Sequence, residues 1–161
     1  AAARARNEAD TQVIVNLQGD EPFMPADVIA QVAQRLAGPD APDMATVCEP
    51  LATHEDYANP NIVKVARNGD ARALYFSRAP IPWQRDQFAR DRLGADPSAA
   101  LRHIGIYAYR AGFLRRFAAL PPGRLEQLEA LEQLRVLEAG HRIAVGLAPV
   151  PFPPGVDTEA D

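Results

Sequence analysis

The spacing of apolar residues along the chain predicts alternating strands and helices. Val13–Leu17 is a short apolar run that leads into a glycine and a proline, which is typical of a buried parallel strand ending in a loop. After Pro25, and before Gly38-Pro39, apolar residues recur at helical spacing, namely Val28, Ile29, Val32 and Leu36. A strand, a loop and a covering helix form the first unit of a doubly wound α/β domain.

The next segments predict a mixed sheet. Met44–Val47 is a short strand candidate, and two further candidates, Ile62–Ala66 and Ala71–Phe76, flank Asn68-Gly69. These two residue types favour the positive φ angles of a two-residue hairpin turn. Gln84–Ala100 is polar and without a clear period, so we expect a long surface excursion there.

The C-terminal half continues the same alternation. We predict a strand at Leu101–Tyr109, a short helix at Ala111–Ala118, a long helix at Leu125–Ala139 that Gly140 ends, and a strand at Ile143–Val150. No internal repeat or low-complexity tract indicates a second domain. We therefore expect a single α/β domain over residues 1–161.

Composition excludes several classes of protein. Hydrophobic residues make up 47% of the 161 residues and charged residues 24%, a balance typical of globular domains. A net charge of -4 lacks the basic footprint of a nucleic-acid binder. No apolar run approaches the roughly 20 residues of a membrane span, and we expect no secretory signal, because the N-terminal residues lack a basic segment followed by an apolar one. Cys48 is the only cysteine, which fits a reducing compartment, so we expect a cytoplasmic protein.

Acidic residues follow the first predicted strand, where open α/β sheets bind their ligands. Asp20, next to Gln18 and Glu21, is suited to Mg²⁺, which prefers oxygen ligands. The residues alone leave open that Asp20 and Glu21 only cap a loop. Asp157 follows the last predicted strand. If this strand and the first one are neighbours, Asp157 lies near Asp20 and the two form a pair of carboxylates for a metal ion; Asp157 also suits the N-cap of a following helix.

The long predicted helix carries a second candidate. At about 100° per residue, Glu132 falls between Leu128 and Val136 inside the apolar stripe, where a carboxylate needs an ionic or polar partner. Gln133 lies on an adjoining face. A plain salt bridge between Glu132 and Arg135 remains open as the alternative.

The strand at Leu101–Tyr109 provides a third group. His103 and Tyr107 differ by four positions, so their side chains share one strand face and can present hydrogen-bonding groups to an acidic sugar. Arg78 closes the strand Ala71–Phe76. A structural role for His103 in a half-buried strand is the alternative at this stage.

Five segments, in this order and spacing, resemble the 3-deoxy-manno-octulosonate cytidylyltransferase family. They cover the chain from near Val13 to its end and are far more specific together than singly. The segments are Val15–Pro22, Leu74–Trp83, Arg102–Arg110, Leu125–Arg135 and Gly155–Thr158.

The resemblance implies a Rossmann-like nucleotidyltransferase fold, of the nucleotide-diphospho-sugar transferase type. It implies transfer of CMP from CTP to the eight-carbon acid sugar KDO, with release of pyrophosphate, for lipopolysaccharide biosynthesis. It also implies a homodimer, and we expect Gln84–Ala100 to form the contact between subunits. The implied catalytic residues are Asp20 and Asp157, as Mg²⁺ ligands, and Arg78; the implied sugar-acid contacts are Gln18, Arg78, His103, Tyr107, Glu132 and Gln133.

One departure from the family pattern is large. The family begins with a strand and an Arg- and Lys-bearing loop that cradles the triphosphate, and this sequence starts after that region; Lys64 lies on a predicted hairpin strand and is not assumed to replace the phosphate-binding lysine. We therefore expect residues 1–161 to be a partial cytidylyltransferase domain that is inactive alone. The alternatives are a cytidylyltransferase for another ulosonic acid and a non-catalytic α/β binding module.

Overall fold

The computed structural model describes residues 9–17, 24–38, 40–88, 93, 96 and 99–149. Strands and helices follow one another along this part of the chain, and they include two short helices that the apolar pattern does not predict, at His54–Ala58 and Arg85–Phe88. In chain order they are β1 (Val13–Asn16), α1 (Ala26–Gln34), β2 (Met44–Pro50), α2 (His54–Ala58), β3 (Lys64–Arg67), β4 (Ala73–Ser77), α3 (Arg85–Phe88), β5 (Leu101–Arg110), α4 (Ala111–Phe117), α5 (Arg124–Glu129), α6 (Gln133–Glu138) and β6 (Ile143–Leu147). No helix in these ranges is long and apolar enough to cross a membrane.

The strands form one mixed six-stranded sheet in the order β4-β3-β5-β2-β6, with β1 also paired to β5. β2 runs parallel to β6, whereas β5 is antiparallel to β1, β2 and β3. The prediction of a mixed sheet is confirmed. The prediction of a buried parallel strand at Val13–Leu17 is wrong, because β1 is half-buried and pairs antiparallel to β5. Its unbroken apolar run does not distinguish the two strand directions.

Two hydrophobic cores lie on opposite faces of the sheet. On one face, Ile104, Ile106 and Ala108 of β5 pack in one cluster with Val28 and Val32 of α1. The opposite face of β5 belongs to a second cluster, which includes residues of α4 and α6. Full burial of such a Val or Ile side chain contributes about 1.5–3 kcal/mol. Strand alternation therefore commits every second residue of β5, including His103, to the second face.

The β3–β4 hairpin is confirmed, but its turn differs from the predicted one. The positive φ angle lies at Ala71, with φ of 55°, and not at Asn68 or Gly69. The Asn68 side chain shapes the turn, because its Oδ1 accepts hydrogen bonds from the backbone N–H groups of Asp70, at 3.1 Å, and Arg72, at 2.9 Å. An Asn at this position therefore serves as a side-chain acceptor and not as the left-handed residue.

The tip of this hairpin reaches the far edge of the sheet. The Val145 N–H in β6 donates to the Ala71 carbonyl at 2.8 Å, and the Val145 carbonyl accepts from Arg67 Nη1 at 3.0 Å. The sheet curls, so that the hairpin covers backbone groups of β6 that face away from β2. These contacts satisfy polar groups that an edge strand otherwise leaves to solvent.

The single helix predicted at Leu125–Ala139 is wrong, because the structure divides it into α5 and α6. Ala130 lies between them in the left-handed region, with φ of 52°. The break buries Leu131 and Leu134 in the same core cluster. Alanine is the strongest helix former, so the local sequence gives no sign of this interruption. Gly140, with φ of 78°, follows α6 as predicted.

Candidate functional site

A pocket of about 700 Å³ opens on the face of β5 that α1 does not cover. β3 meets β5 at Arg102 and β1 pairs with it from Tyr107 onward, so the stretch between them has no strand partner on that edge within the described part of the chain. One wall, the strand wall, is β5. The other, the loop wall, consists of the loop before β3, Arg78 directly after β4 and the break between α5 and α6. The two walls contain Asn59, Asn61, Ile62, Val63, Arg78, Arg102, His103, Gly105, Tyr107, Ala130, Leu131, Glu132 and Gln133.

Five of the eight site residues predicted from the sequence line this one pocket. They come from the end of β4, from β5 and from the start of α6, and they are Arg78, His103, Tyr107, Glu132 and Gln133. Gln18, Asp20 and Asp157 lie outside the described residues. The fold therefore brings together side chains that are far apart in the sequence, from Arg78 to Gln133.

Arg78 is held by backbone carbonyl groups. Its Nε donates to the Glu129 carbonyl at 2.8 Å and its Nη1 donates to the Pro60 carbonyl at 3.1 Å. The Glu129 carboxylate accepts hydrogen bonds from the Arg78 N–H, at 3.0 Å, and from Ser77 Oγ, at 2.6 Å. Within the described residues the Arg78 guanidinium forms no ion pair, and its Nη2 has no protein acceptor. This fixed cation is suited to bind a carboxylate.

Lys64 supports the same wall from inside the protein. Its side chain is completely buried, and Nζ donates to the carbonyls of Asn59 at 2.7 Å, Ile62 at 2.5 Å and Arg78 at 2.6 Å. All three acceptor residues line the pocket. Burial lowers the Lys64 pKa from its usual value. Lys64 therefore positions the wall and does not itself reach a ligand.

This role was missing from the sequence predictions, although one signal was available. Lys64 is the only lysine in a chain whose other basic residues are arginines. An ammonium group can direct its three donors to converging carbonyl oxygens, whereas a planar guanidinium cannot. Asn59, Asn61 and Arg102 also line the pocket without having been selected. Arg102 is ion-paired with Glu49 at 2.5 Å.

The strand wall presents neutral groups. Burial lowers the pKa of His103 to about 3, so its imidazole is uncharged at neutral pH. Phe76 and Tyr107 pack against the ring, with centroid separations of 5.0 and 5.3 Å. Burial also raises the pKa of Tyr107 above its usual range, which keeps the phenol protonated. These side chains act as hydrogen-bonding groups and not as charges.

Glu132 corrects the helical-wheel prediction. It is exposed, at the N-terminal boundary of α6, and not buried in an apolar stripe, because the break at Ala130 turns it toward the pocket. Gln133, which follows it, is only 4% exposed. The alternative partner, Arg135, instead forms its ion pair with Glu126, with 2.7 Å between Nε and Oε2.

The topology bears on the proposed metal ligands. β1 and β6 run in the same direction, so their carboxyl ends lie at the same end of the strands, but β5 and β2 lie between them in the sheet. The condition that the two strands are neighbours is therefore not met. Within the described ranges no group of three or more His, Cys, Asp or Glu side chains could hold a metal ion. Asp20 and Asp157 themselves lie beyond those ranges.

Comparisons with known proteins agree on one family. A family model described as cytidylyltransferase matches residues 1–143. A 3-deoxy-manno-octulosonate cytidylyltransferase of Xanthomonas campestris pv. campestris (strain 8004) is 61% identical over 150 residues, covering 92% of this chain and 59% of the relative. A protein of the same name in Stenotrophomonas maltophilia (strain K279a) is 58% identical over 160 residues, covering 99% and 62%. The chain thus spans about three fifths of the length of these curated relatives.

A solved structure leads to the same family. It is CMP:2-keto-3-deoxy-manno-octonic acid synthetase complexed with CTP, at a TM-score of 0.83 and 37% identity, over 99% of this chain and 62% of the other. The predicted nucleotidyltransferase fold is confirmed by this likeness. The chain belongs to the cytidylyltransferase family.

Proposed function

We propose that this chain forms the sugar-acid side of an enzyme that transfers CMP from CTP to KDO, giving CMP-KDO and pyrophosphate. The observation that carries the proposal is the Arg78 guanidinium, which lines a polar pocket with no ion-pair partner among the described residues. The names of the relatives, and the CTP bound in the similar solved structure, support the choice of reaction. The product is a precursor for lipopolysaccharide biosynthesis.

In this proposal Arg78 binds the carboxylate of the sugar acid. The triphosphate of CTP repels that carboxylate, so a cation is needed to bring the two substrates together. The hydrogen bonds to Glu129 and Pro60 fix the guanidinium before the sugar arrives. This preorganisation reduces the conformational entropy that binding would otherwise cost.

The remaining pocket residues recognise hydroxyl groups. Glu132 offers an exposed carboxylate as an acceptor, whereas Gln133 and Tyr107 provide both donors and acceptors. Gln18 contacts the sugar from the segment after β1. Together these groups orient the anomeric hydroxyl for in-line attack at the α-phosphorus, so no covalent enzyme nucleophile is required.

We assign Mg²⁺ as the cofactor, with Asp20 and Asp157 as its ligands. Support comes from the chemistry of carboxylates, which hard cations prefer, and from the two preceding strands, whose carboxyl ends lie at one edge of the sheet. When bound, the metal supplies charge neutralisation at the phosphates and promotes loss of the hydroxyl proton.

Binding of KDO to the 161-residue chain tests the proposal. Calorimetry should detect binding of KDO to the chain. Arg78→Met should lower the affinity for KDO at least tenfold, because the loss of a charge-assisted hydrogen-bonded pair costs about 1.4 kcal/mol or more of binding free energy. Arg124→Met is the matched control, since Arg124 is exposed on α5 and does not line the pocket. Equal losses in both variants would contradict the role of Arg78.

The same titration separates the alternatives. Preference for N-acetylneuraminic acid over KDO would indicate a cytidylyltransferase for another ulosonic acid. No heat with KDO would indicate a non-catalytic binding module. Any CTP binding that the chain retains should weaken when Mg²⁺ is omitted if Asp20 and Asp157 hold the ion.

We also propose that the protein acts in the cytoplasm as a homodimer, with residues 84–100 at the contact between subunits. Sedimentation of the chain with and without this segment tests the second part. Deletion should shift a dimer toward the monomer, and an unchanged sedimentation coefficient would count against the assignment.

A further inference from the structure

An irregularity in the sheet surrounds one buried hydroxyl group. The pairing of β2 with β5 shifts register between Thr46, opposite Tyr107, and Val47, opposite Ile104, so that two residues of β5 have no counterpart in β2. Thr46 is completely buried at this shift. Its Oγ1 lies 2.7 Å from the Ile106 carbonyl oxygen, 3.2 Å from the Ile104 carbonyl oxygen and 2.9 Å from His103 Nε2.

The single proton of the Thr46 hydroxyl determines the direction of these hydrogen bonds. A hydroxyl has one proton to donate, and a carbonyl oxygen only accepts. Two carbonyls therefore compete for the single Thr46 proton, and the Ile106 carbonyl is the nearer. The Thr46 oxygen is left with lone pairs for the third contact. His103 Nε2 must then carry a proton and donate it to Thr46.

The other ring nitrogen follows from this assignment. A neutral imidazole has one N–H and one acceptor nitrogen, so a protonated Nε2 leaves Nδ1 with a lone pair. Nδ1 makes no hydrogen bond to a described residue and is not enclosed, and His103 lines the pocket. The low pKa of His103, caused by burial, agrees with a neutral ring.

We propose that Thr46 is a positioning residue that holds His103 in the Nε2–H tautomer, so that Nδ1 faces the pocket as a hydrogen-bond acceptor. The ligand group at this point must then be a donor, such as a sugar hydroxyl. A carboxylate or phosphate oxygen presents only lone pairs and is excluded there. The identification of that donor as a hydroxyl of KDO rests on the proposed function, whereas the tautomer does not.

This assignment divides recognition between the two walls of the pocket. Arg78 donates hydrogen bonds and selects an anion, whereas His103 accepts one and selects a hydroxyl. A sugar acid placed backwards would bring its carboxylate against a lone pair at His103. The pair of residues therefore fixes the direction in which the sugar enters.

Nitrogen NMR on the ¹⁵N-labelled 161-residue chain tests the proposal without a ligand. The chain has three histidines, and His103→Gln identifies the His103 signals by their loss. In the wild type at neutral pH, Nε2 should give a pyrrole-type signal and Nδ1 a pyridine-type signal. The reverse pattern would overturn the proposal.

Two variants test the part of Thr46. Thr46→Ser keeps the hydroxyl and should retain the wild-type pattern. Thr46→Val keeps the shape but removes the acceptor, so the Nδ1–H tautomer should gain population. An unchanged tautomer in a folded Thr46→Val protein would show that Thr46 is not the positioning residue. If that variant does not fold, loss of the Nε2–H pattern in Thr46→Ser would overturn the proposal and its retention would support it.

Titration with KDO tests the acceptor. A hydroxyl donating to Nδ1 should move the pyridine-type signal toward lower frequency while Nε2 stays in place. Binding that leaves both nitrogens unchanged would overturn the acceptor role. Absence of any change in the protein spectrum would instead count against the proposed function, while the tautomer signals still decide the role of Thr46.

Discussion

The two walls of the pocket reach fixed geometry by different physical means. In the strand wall, His103 and Tyr107 of β5 are neutral groups whose pKa values burial has displaced away from ionisation, whereas Arg102 of the same strand is ion-paired with Glu49. The loop wall contains Arg78, held by backbone carbonyls from other segments, with the buried Lys64 behind it. Strand alternation places these neutral side chains on the pocket face, where Thr46 Oγ1 lies 2.9 Å from His103 Nε2. A charge in the same pocket needs oxygen atoms collected from several parts of the chain.

The largest expected effect follows from removal of the Lys64 charge, which tests how the loop wall is held. Lys64→Met leaves the carbonyls of Asn59, Ile62 and Arg78 without their buried donor, so we expect the free energy of unfolding to fall by roughly 3 kcal/mol or more. Urea denaturation measures this change. Arg124→Met, on the exposed surface, should alter it by less than about 0.5 kcal/mol. An equally small change in the free energy of unfolding for Lys64→Met would show that the Lys64 ammonium does not stabilise the loop wall.

A smaller effect is expected from pH, and it tests the strand wall. The His103 pKa is about 3 in the folded chain against 6.5 ordinarily, so below pH 6.5 the unfolded chain binds a proton that the folded chain does not. Stability contributed by the neutral ring is therefore fully present above pH 6.5 and is lost as pH falls. At pH 5 the loss is about 2 kcal/mol, at about 1.4 kcal/mol per pH unit.

His103→Gln is the control for the pH prediction, because it removes this proton and leaves His54 and His141 in place. Between pH 7 and pH 5 the free energy of unfolding of the wild type should fall by about 2 kcal/mol relative to that of the variant, as measured by urea denaturation. This interval lies above the titration of Glu126, whose pKa its hydrogen bond with Arg135 lowers from the usual 4.5. Parallel curves for the two proteins would contradict a neutral, buried His103.

The smallest predicted effect concerns backbone conformation. Ala71, at the hairpin tip, and Ala130, at the loop wall, both have positive φ. Glycine adopts this region without the Cβ penalty, so Ala71→Gly and Ala130→Gly should each stabilise the fold by about 1 kcal/mol. Ala73→Gly, at the first residue of β4, where φ is not positive, should destabilise it. A loss of KDO affinity in Ala130→Gly alone would show that the rigidity of this break matters for binding.

The sequence predicted the strand wall well and the loop wall poorly, for the same physical reason. The period of two places His103 and Tyr107 on one face, and the pairing of β5 preserves it. Nothing local marks Ala130 as a helix break, since tertiary burial of Leu131 overrides its helix propensity. The three acceptors of Lys64 likewise come from two parts of the chain, the turn at residues 59–62 and Arg78 directly after β4. Such contacts exist only after folding.

The sequence pattern predicted most of the strands and helices of the fold, but not the direction of every strand. The apolar runs identified strands and covering helices, but the direction of β1 depends on its partner β5, which lies about 90 residues later. The roles of Gln18, Asp20 and Asp157 stay predictions from the family resemblance, because they lie outside the described residues.

The buried amine of Lys64 has a practical consequence for chemical labelling. The chain contains a single lysine, and its side chain has no exposed surface in the folded state. Amine acylation at this position requires the loop before β3 to detach from the end of β4, so the labelling rate reports the local opening equilibrium. Mass spectrometry can distinguish acylation of Lys64 from acylation of the N-terminal amine, and its rate at Lys64 then measures how often the loop wall opens. A sugar acid that binds the pocket and stabilises this wall should slow the acylation of Lys64.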